Sequence, residues 1–259
     1  MIPPFSSIIV NGLTVNHATA GEGRPLLLLH GWGAHIALVW PLAQAMIPLG
    51  YRVYALDMPG FGQTPPPPVA WTVYDYARFV VTYLDQQGLE QVDLFGHSFG
   101  GRLGLILGSD YVPRIRKVAL ADAAGIKSPT PWPLVLRLNV YKGIRDTLYR
   151  VGARTLADTL RAAYNKRYGS VDFQQVSGVM RETFVNVVNE DLRAHAQRVK
   201  QPTLLFWGDH DQDTPLWQGQ MLKKLIPDAG LIVHKGAGHY SYLDALPDTV
   251  RVLDYFLKN

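Results

Sequence analysis

Five residues, Gly96-His97-Ser98-Phe99-Gly100, constrain this chain more than any others. They follow a short apolar run, Val92 to Phe95, that reads as a buried strand, and they precede a segment with helical spacing. The pattern G-x-S-x-G at a strand-to-helix junction is the nucleophile elbow, and its spacing has a steric reason. A serine raised above a sheet edge sits in a strained turn, so the residues two before and two after it have room for almost no side chain. The helix that starts there turns its free N–H groups and positive dipole end towards the serine, which favours negative charge on a bound substrate. A turn that merely contains serine satisfies the same five letters, so the rest of the chain has to decide.

Asn11-Gly12 between Ile8-Ile9-Val10 and Leu13-Thr14-Val15 predicts a tight hairpin. Leu26 to Leu29 reads as a buried strand ending in His30-Gly31-Trp32-Gly33. A helix is expected over Ile36 to Leu49 and a strand over Arg52 to Leu56. Asp57 to Gly62 is a turn cluster, and Pro65 to Pro68 a stiff loop. Val73 to Gln87 has helical spacing. Phe99 to Gly108 continues the elbow as a helix whose many glycines predict close backbone packing on a sheet. Lys117 to Ala121 is the next strand. Alternating helices and apolar strands predict an α/β chain with a parallel sheet covered on both faces.

From Ala123 to Lys200 the rhythm changes to helices, over Leu134 to Arg150, Thr155 to Tyr168 and Phe173 to Val188. Thr155 and Asp158 form a weak helix-start box, and Pro129, Pro131 and Pro133 crowd the entry. Residues 123–200 are therefore expected to form a helical cap, inserted into a core made of residues 1–122 and 201–259. The strand pattern resumes at Thr203 to Trp207. A helix (Pro215 to Ile226), a strand (Leu231 to His234) and a closing helix (Asp248 to Leu257) follow.

Hydrophobic content of 47% and charged content of 18% describe an ordinary globular chain, and 259 residues suffice for one sizeable core. The absence of cysteine excludes a disulfide framework, a thiolate nucleophile and a Cys-based zinc site. Met1 to Phe5 lacks the basic-then-apolar pattern of a signal peptide, and no apolar run approaches the roughly 18 residues of a membrane span. A cytoplasmic location is expected. The net charge of +4 is uneven: Ala123 to Lys200 carries 13 Lys/Arg and 6 Asp/Glu, hence +7, against −3 elsewhere. Such a segment can draw anionic substrates to a site beneath it, although a solvated helix face is the plainer reading. No nucleic-acid motif is present.

A serine hydroxyl needs a base to take its proton and a third group to orient that base. Trp207-Gly208-Asp209-His210-Asp211-Gln212-Asp213-Thr214-Pro215 follows one late strand, and Gly236-Ala237-Gly238-His239 follows the last. With these pieces the chain resembles an α/β-hydrolase of the capped, single-domain type over nearly its whole length. The matching motifs are His30-Gly31-Trp32-Gly33, Asp57-x-x-Gly60-x-Gly62, Gly96-x-Ser98-x-Gly100-Gly101, Gly208-x-x-Asp211-x-x-x-Pro215 and Gly238-His239.

The resemblance implies an α/β-hydrolase fold with a mostly parallel eight-stranded sheet, helices on both faces and a helical cap after the sixth strand. It implies Ser98 as nucleophile, His239 as general base and Asp211 as the orienting acid, in the chain order Ser, Asp, His. Asp122, at an earlier strand end, is the alternative acid, while Asp209 and Asp213 are read as turn residues. Backbone N–H groups of Phe99 and Trp32 are the expected oxyanion hole, with Gly31, Trp32, Phe99 and Tyr240 as substrate-binding positions. His30 and His97 fall in the motifs with supporting roles. His17, His35, His195, His210 and His234 have no motif context. The acidic stretch fails as a calcium loop, because Thr214 and Gln220 stand where that loop needs glycine and glutamate. No metal or cofactor is expected.

Serine at position 98 sets the chain apart from haloalkane dehalogenases and epoxide hydrolases of this family, which use aspartate there. The expected activity is cleavage of carboxylic esters with a small to medium acyl chain through an acyl-enzyme. One alternative is a C–C hydrolase of ring-cleavage products. That group usually has asparagine before the nucleophile and tryptophan after the histidine, where His97 and Tyr240 stand here. Another is a ligand-binding receptor on the same fold. The expected partner is a small-molecule ester, with no nucleic acid and no membrane; the oligomeric state stays open between monomer and homodimer.

Overall fold

The computed structural model describes residues 5–128, 131–168 and 171–259, so Met1 to Pro4 and the predicted crowding by Pro129 lie outside the described residues. Strands β1 (Phe5–Val10) and β2 (Leu13–Ala20) pair antiparallel about Asn11 and Gly12. Both turn residues have positive φ (48° and 79°), the requirement of the tightest hairpin turn.

The remaining strands are β3 (Arg24–Leu29), β4 (Tyr51–Leu56), β5 (Val92–His97), β6 (Ile115–Ala121), β7 (Thr203–Gly208) and β8 (Ala229–His234). They form one eight-stranded sheet in the order β1-β2-β4-β3-β5-β6-β7-β8. β2 runs antiparallel to both neighbours, and every other pair is parallel.

The period-two alternation of strands sorts the core into two layers. Leu27 and Leu29 face a layer shared with α2 (Val73–Gln86) and α3 (Phe99–Asp110). Leu26 and Leu28 face the other, shared with α1 (Ile36–Met46) and the C-terminal helix, Leu246–Lys258. Helix α1 stops short of its expected end. Ile47–Leu49 tightens into a 3₁₀ turn containing Pro48, closed by Gly50 at φ 93°.

Between β6 and β7 lie α4 (Trp132–Arg150), α5 (Arg154–Tyr168), α6 (Val171–Gln175), α7 (Gly178–Asn189) and the short α8 (Arg193–Ala196). The single helix expected over Phe173 to Val188 is thus two. The break falls at Ser177, which is extended, and Gly178, whose φ of 51° is left-handed. Helix α5 starts one residue before Thr155, and the Asp158 carboxylate accepts the Tyr149 hydroxyl at 2.6 Å rather than capping that start. The reciprocal capping box is at Thr72 and Asp75, opening α2. After β7 come α9 (Leu216–Leu225), the four-residue α10 (Ser241–Asp244) and α11 (Leu246–Lys258). Among the described residues no helix is long and apolar enough to cross a membrane.

The strand order positions the site. From β3 the chain moves outward to β4, and β5 then returns to the other side of β3. In a parallel sheet the crevice at such a reversal, beyond the carboxyl ends of the strands, is where ligands collect. The segments leaving β3 and β5 there are His30-Gly31-Trp32 and Ser98-Phe99.

Candidate active site

Ser98 follows β5 directly with φ 50° and ψ −105°, a conformation costing about 1–3 kcal/mol for a residue with a side chain. Its neighbours hold it there. The Ser98 N–H donates to the Ala121 carbonyl at 3.0 Å, and the Gly100 N–H to that of His30 at 3.0 Å. Side chains at the flanking glycines would destroy the turn: a Cβ on Gly96 would lie 2.4 Å from the Gly100 carbonyl oxygen, and one on Gly100 2.3 Å from that of Leu29. This is the steric basis of the G-x-S-x-G spacing.

His239, in the loop after β8, brings Nε2 to 3.0 Å from Ser98 Oγ and Nδ1 to 2.9 Å from Asp211 Oδ2. A carboxylate only accepts, so Nδ1 carries the proton and Nε2 is left to accept from the serine. Asp211 is buried and fixed in turn. Its Oδ1 accepts the N–H groups of Asp213 (2.8 Å) and Thr214 (2.9 Å), and the Thr214 hydroxyl lies 2.7 Å from Oδ2. Burial alone would raise the Asp211 pKa, but hydrogen bonds from His239 and Thr214 outweigh it and hold the carboxyl below its ordinary value. For His239, burial disfavours the imidazolium, yet the hydrogen bond and charge of Asp211, helped by Asp122 and Asp213, raise its pKa above 6.5.

Asp122, the alternative acid, does not reach the imidazole. Fully buried at φ 47°, it accepts the Gly208 N–H on Oδ1, and the Ser241 N–H and hydroxyl on Oδ2. Burial dominates its titration and pushes it up to about 7. It ties the end of β7 to the loop carrying His239. Asp209 accepts the Gly236 N–H at 2.6 Å, a contact within the loops.

The histidines of the motifs have supporting places. His30 stands with Nδ1 2.7 Å from the Gly31 carbonyl and Nε2 3.0 Å from the Met58 N–H, which it accepts, pinning the loop that carries Trp32. His97 donates from Nε2 to the backbone carbonyl of His239 at 2.7 Å. Burial, reinforced by the neighbouring His239, pushes His97 down to about 3, so its ring is neutral. Of the histidines without motif context, His17, His195 and His234 are buried and hydrogen-bonded, to Tyr83, Ser109 and the Ser241 carbonyl respectively.

Ser98 and His239 open on a cavity of about 340 Å³. Gly31, Trp32, Phe99 and Tyr240 all border it. The N–H groups of Trp32 and Phe99 have no hydrogen-bond acceptor among the described residues. Phe99 is only 2% exposed, its ring packed on Trp32 and Tyr76, so what it presents is chiefly backbone.

Phe184, Val187 and Val188 of α7 close the other side, and the Trp32 indole meets Phe184 at a centroid distance of 5.1 Å. Arg102, one helical turn beyond Ser98 on α3, also borders the cavity. Sequence reasoning did not single it out, although a lone cation four residues from the serine, in a glycine-rich apolar helix, was a readable signal. The α7 residues carried no such signal. Asp211, Asp213 and His239 place three donor atoms within 4.8 Å of one another. A cation there would compete directly with the Asp211–His239 hydrogen bond.

Comparison with known proteins fits this geometry. The model of a family described as the alpha/beta hydrolase fold matches residues 24–246. The chain is 26% identical over 269 residues to a 2-hydroxy-6-oxo-2,4-heptadienoate hydrolase of Pseudomonas putida, covering 96% of this chain and 95% of that one. It is 26% identical over 255 residues to a pimeloyl-[acyl-carrier protein] methyl ester esterase of Chromobacterium violaceum, covering 93% and 96%. A longer relative is the dihydrolipoyllysine-residue acetyltransferase component of an acetoin cleaving system from Cupriavidus necator. It is 28% identical over 262 residues, which are 92% of this chain but 65% of that protein. The crystal structure of a hydrolase from Pseudomonas aeruginosa superimposes with a TM-score of 0.76 at 21% identity, over 99% of both chains.

Proposed function

Since the chain belongs to the alpha/beta hydrolase fold family, we propose that it is a serine hydrolase that cleaves carboxylic esters of small to medium acyl chain. One observation carries the reading: the relay from Ser98 Oγ to His239 Nε2 (3.0 Å) and from Nδ1 to Asp211 (2.9 Å), opening on a cavity beside two unengaged N–H groups. In this reading His239 takes the Ser98 proton as Oγ attacks the ester carbonyl. The negative oxygen of the tetrahedral intermediate is received by the N–H groups of Trp32 and Phe99, where loss of one donor typically costs about 10²–10³ in rate. His239 then returns the proton to the leaving alkoxide, giving an acyl-Ser98. A water activated by His239 releases the acid. Asp211 keeps the imidazole in the required tautomer throughout. The apolar wall of Trp32, Phe184 and Val187 suits an acyl chain, and the esterase relative supports ester chemistry.

A second reading is supported by the dienoate hydrolase relative. A 6-oxo dienoate contains a ketone and no ester, so its hydrolysis must break a C–C bond beside a carbonyl. His97 and Tyr240 differ from that group's usual asparagine and tryptophan, which favours the ester. The deciding experiment is steady-state turnover of p-nitrophenyl esters of graded chain length, with a ring-cleavage dienone in the same panel. Wild-type protein is expected to turn over many equivalents of ester and Ser98→Ala none above background, with unchanged thermal unfolding. A serine-directed phosphonate should add mass at Ser98 alone. Turnover of the dienone in preference to every ester would select the second reading. A burst of one equivalent without turnover would select a receptor.

A further inference from the structure

The hairpin of α4 and α5 carries an apolar surface that the other described residues leave bare. Trp132, Leu136, Val140 and Ile144 recur every fourth residue along α4 and are 73%, 49%, 53% and 52% exposed. Side chains four apart stack on one face of a helix, so these four make a single ridge roughly 18 Å long. Gly143, beside the ridge, has open space where a Cβ would stand. The ridge is not the hairpin's own core turned outward. That core is on another face of α4, where buried Tyr141 stacks on Tyr164 of α5 at a centroid distance of 3.8 Å.

Charge narrows what can cover it. Residues 132–168 hold eight Lys/Arg against two Asp, a net +6, while the rest of the chain sums to −2. A second copy would bring the same +6 against this face and be repelled. A surface that is negatively charged and also accepts apolar side chains is complementary on both counts, and an anionic bilayer is such a surface. A helix with Lys and Arg beside an apolar face of Trp and Leu lies in the headgroup region without crossing, and a tryptophan prefers that depth.

We propose that the α4–α5 hairpin docks on an anionic phospholipid surface, with the Trp132–Leu136–Val140–Ile144 ridge seated among the upper acyl chains and Arg137 and Arg150, which the helical repeat sets on either side of it, on the phosphates. This revises the expectation of no membrane partner drawn from the lack of a spanning segment. The cavity at Ser98 is bordered by α7 and not by α4, so docking leaves the chemistry on small dissolved esters untouched.

Flotation of the full chain with vesicles tests this. Binding is expected to vesicles rich in phosphatidylglycerol and about tenfold or more weaker to pure phosphatidylcholine, since each Lys or Arg near an anionic surface is worth about fivefold. Salt should weaken it. The double variant Leu136→Asp, Val140→Asp should lose vesicle binding about tenfold or more, while keeping its melting temperature and its turnover of a soluble p-nitrophenyl ester. Three results would overturn the proposal: no binding to the anionic vesicles, equal binding by the double variant, or equal binding to neutral vesicles. A lipid-free dimer in light scattering that the double variant abolishes would also overturn it, in favour of a second copy on the ridge.

Discussion

At the scale of single residues, the proposed chemistry depends on where one proton sits. His239 is acted on by two opposed forces: burial, which disfavours its charged form, and the hydrogen bond and charge of Asp211 with the charges of Asp122 and Asp213, which together outweigh it. The result is a pKa above 6.5. Only the neutral imidazole can accept from Ser98, so kcat/KM for an ester should fall as pH drops, with its acidic limb centred above 6.5. His97 adds nothing to that limb, being neutral down to about 3. In Asp211→Asn the anion is gone and burial prevails, so whatever activity survives should have its limb at lower pH. The rate itself should fall by about 10⁴, because the imidazole loses its enforced tautomer. A pH–rate profile of both proteins checks this; a limb that stayed in place would remove Asp211 as the group His239 feels.

At the scale of elements, the glycines of α3 let the helix approach the sheet, and the neighbours they face differ. A Cβ on Gly101 would lie 2.4 Å from the Ala123 Cβ and 2.8 Å from its Cα, which is backbone and cannot yield. A Cβ on Gly104 would meet the Leu120 Cδ2 at 2.6 Å, the tip of a side chain that can turn aside. Alanine also favours the helix by about 1 kcal/mol over glycine. Gly101→Ala should therefore destabilise by about 1–3 kcal/mol and Gly104→Ala by much less, read from urea unfolding of the two variants side by side.

Local signals explain what was legible. Asn11-Gly12 announces its hairpin because the turn itself needs positive φ, and the elbow announces itself because glycine is forced at two fixed positions. The break between α6 and α7 was hidden, since Val176-Ser177-Gly178 sits inside an apolar pattern that continues on both sides. Nor could strand patterns alone separate Asp122 from Asp211. Both end strands, and only the approach of the loop after β8 decides which of them touches the imidazole. The phase of α7 against the core was likewise invisible, so Phe184 and Val187 could not be placed at the cavity from their spacing.

At the scale of the whole molecule, the segment between β6 and β7 is tied to the sheet domain by a few polar contacts around α7. The Trp71 N–H donates to the Thr183 hydroxyl at 3.0 Å, and the Tyr74 hydroxyl to Glu190 at 2.7 Å. Arg102 donates to the carbonyls of Glu190 (2.9 Å) and, less closely, Val188 (3.4 Å). Arg102 is nearly buried, and burial pushes its guanidinium down to about 10. The carboxylates whose charge it feels, Glu190 and Asp191, are engaged by Tyr74 and Arg193, so backbone carbonyls do most of its pairing. Those carbonyls end the helix whose Val187 and Val188 close the cavity. Arg102→Met keeps the length of the side chain and removes the donors. Two carbonyls then lose a charged partner, at about 1.5–3 kcal/mol each, offset by the relief of a buried cation. A net loss of about 1–2 kcal/mol in stability is expected. The relay of Ser98, His239 and Asp211 touches none of these atoms. Ester kinetics should accordingly show KM rising severalfold while kcat changes by less than about threefold, the signature of a loosened wall and an intact reacting centre. A collapse of kcat at constant KM would instead mean that Arg102 acts on the reacting atoms themselves.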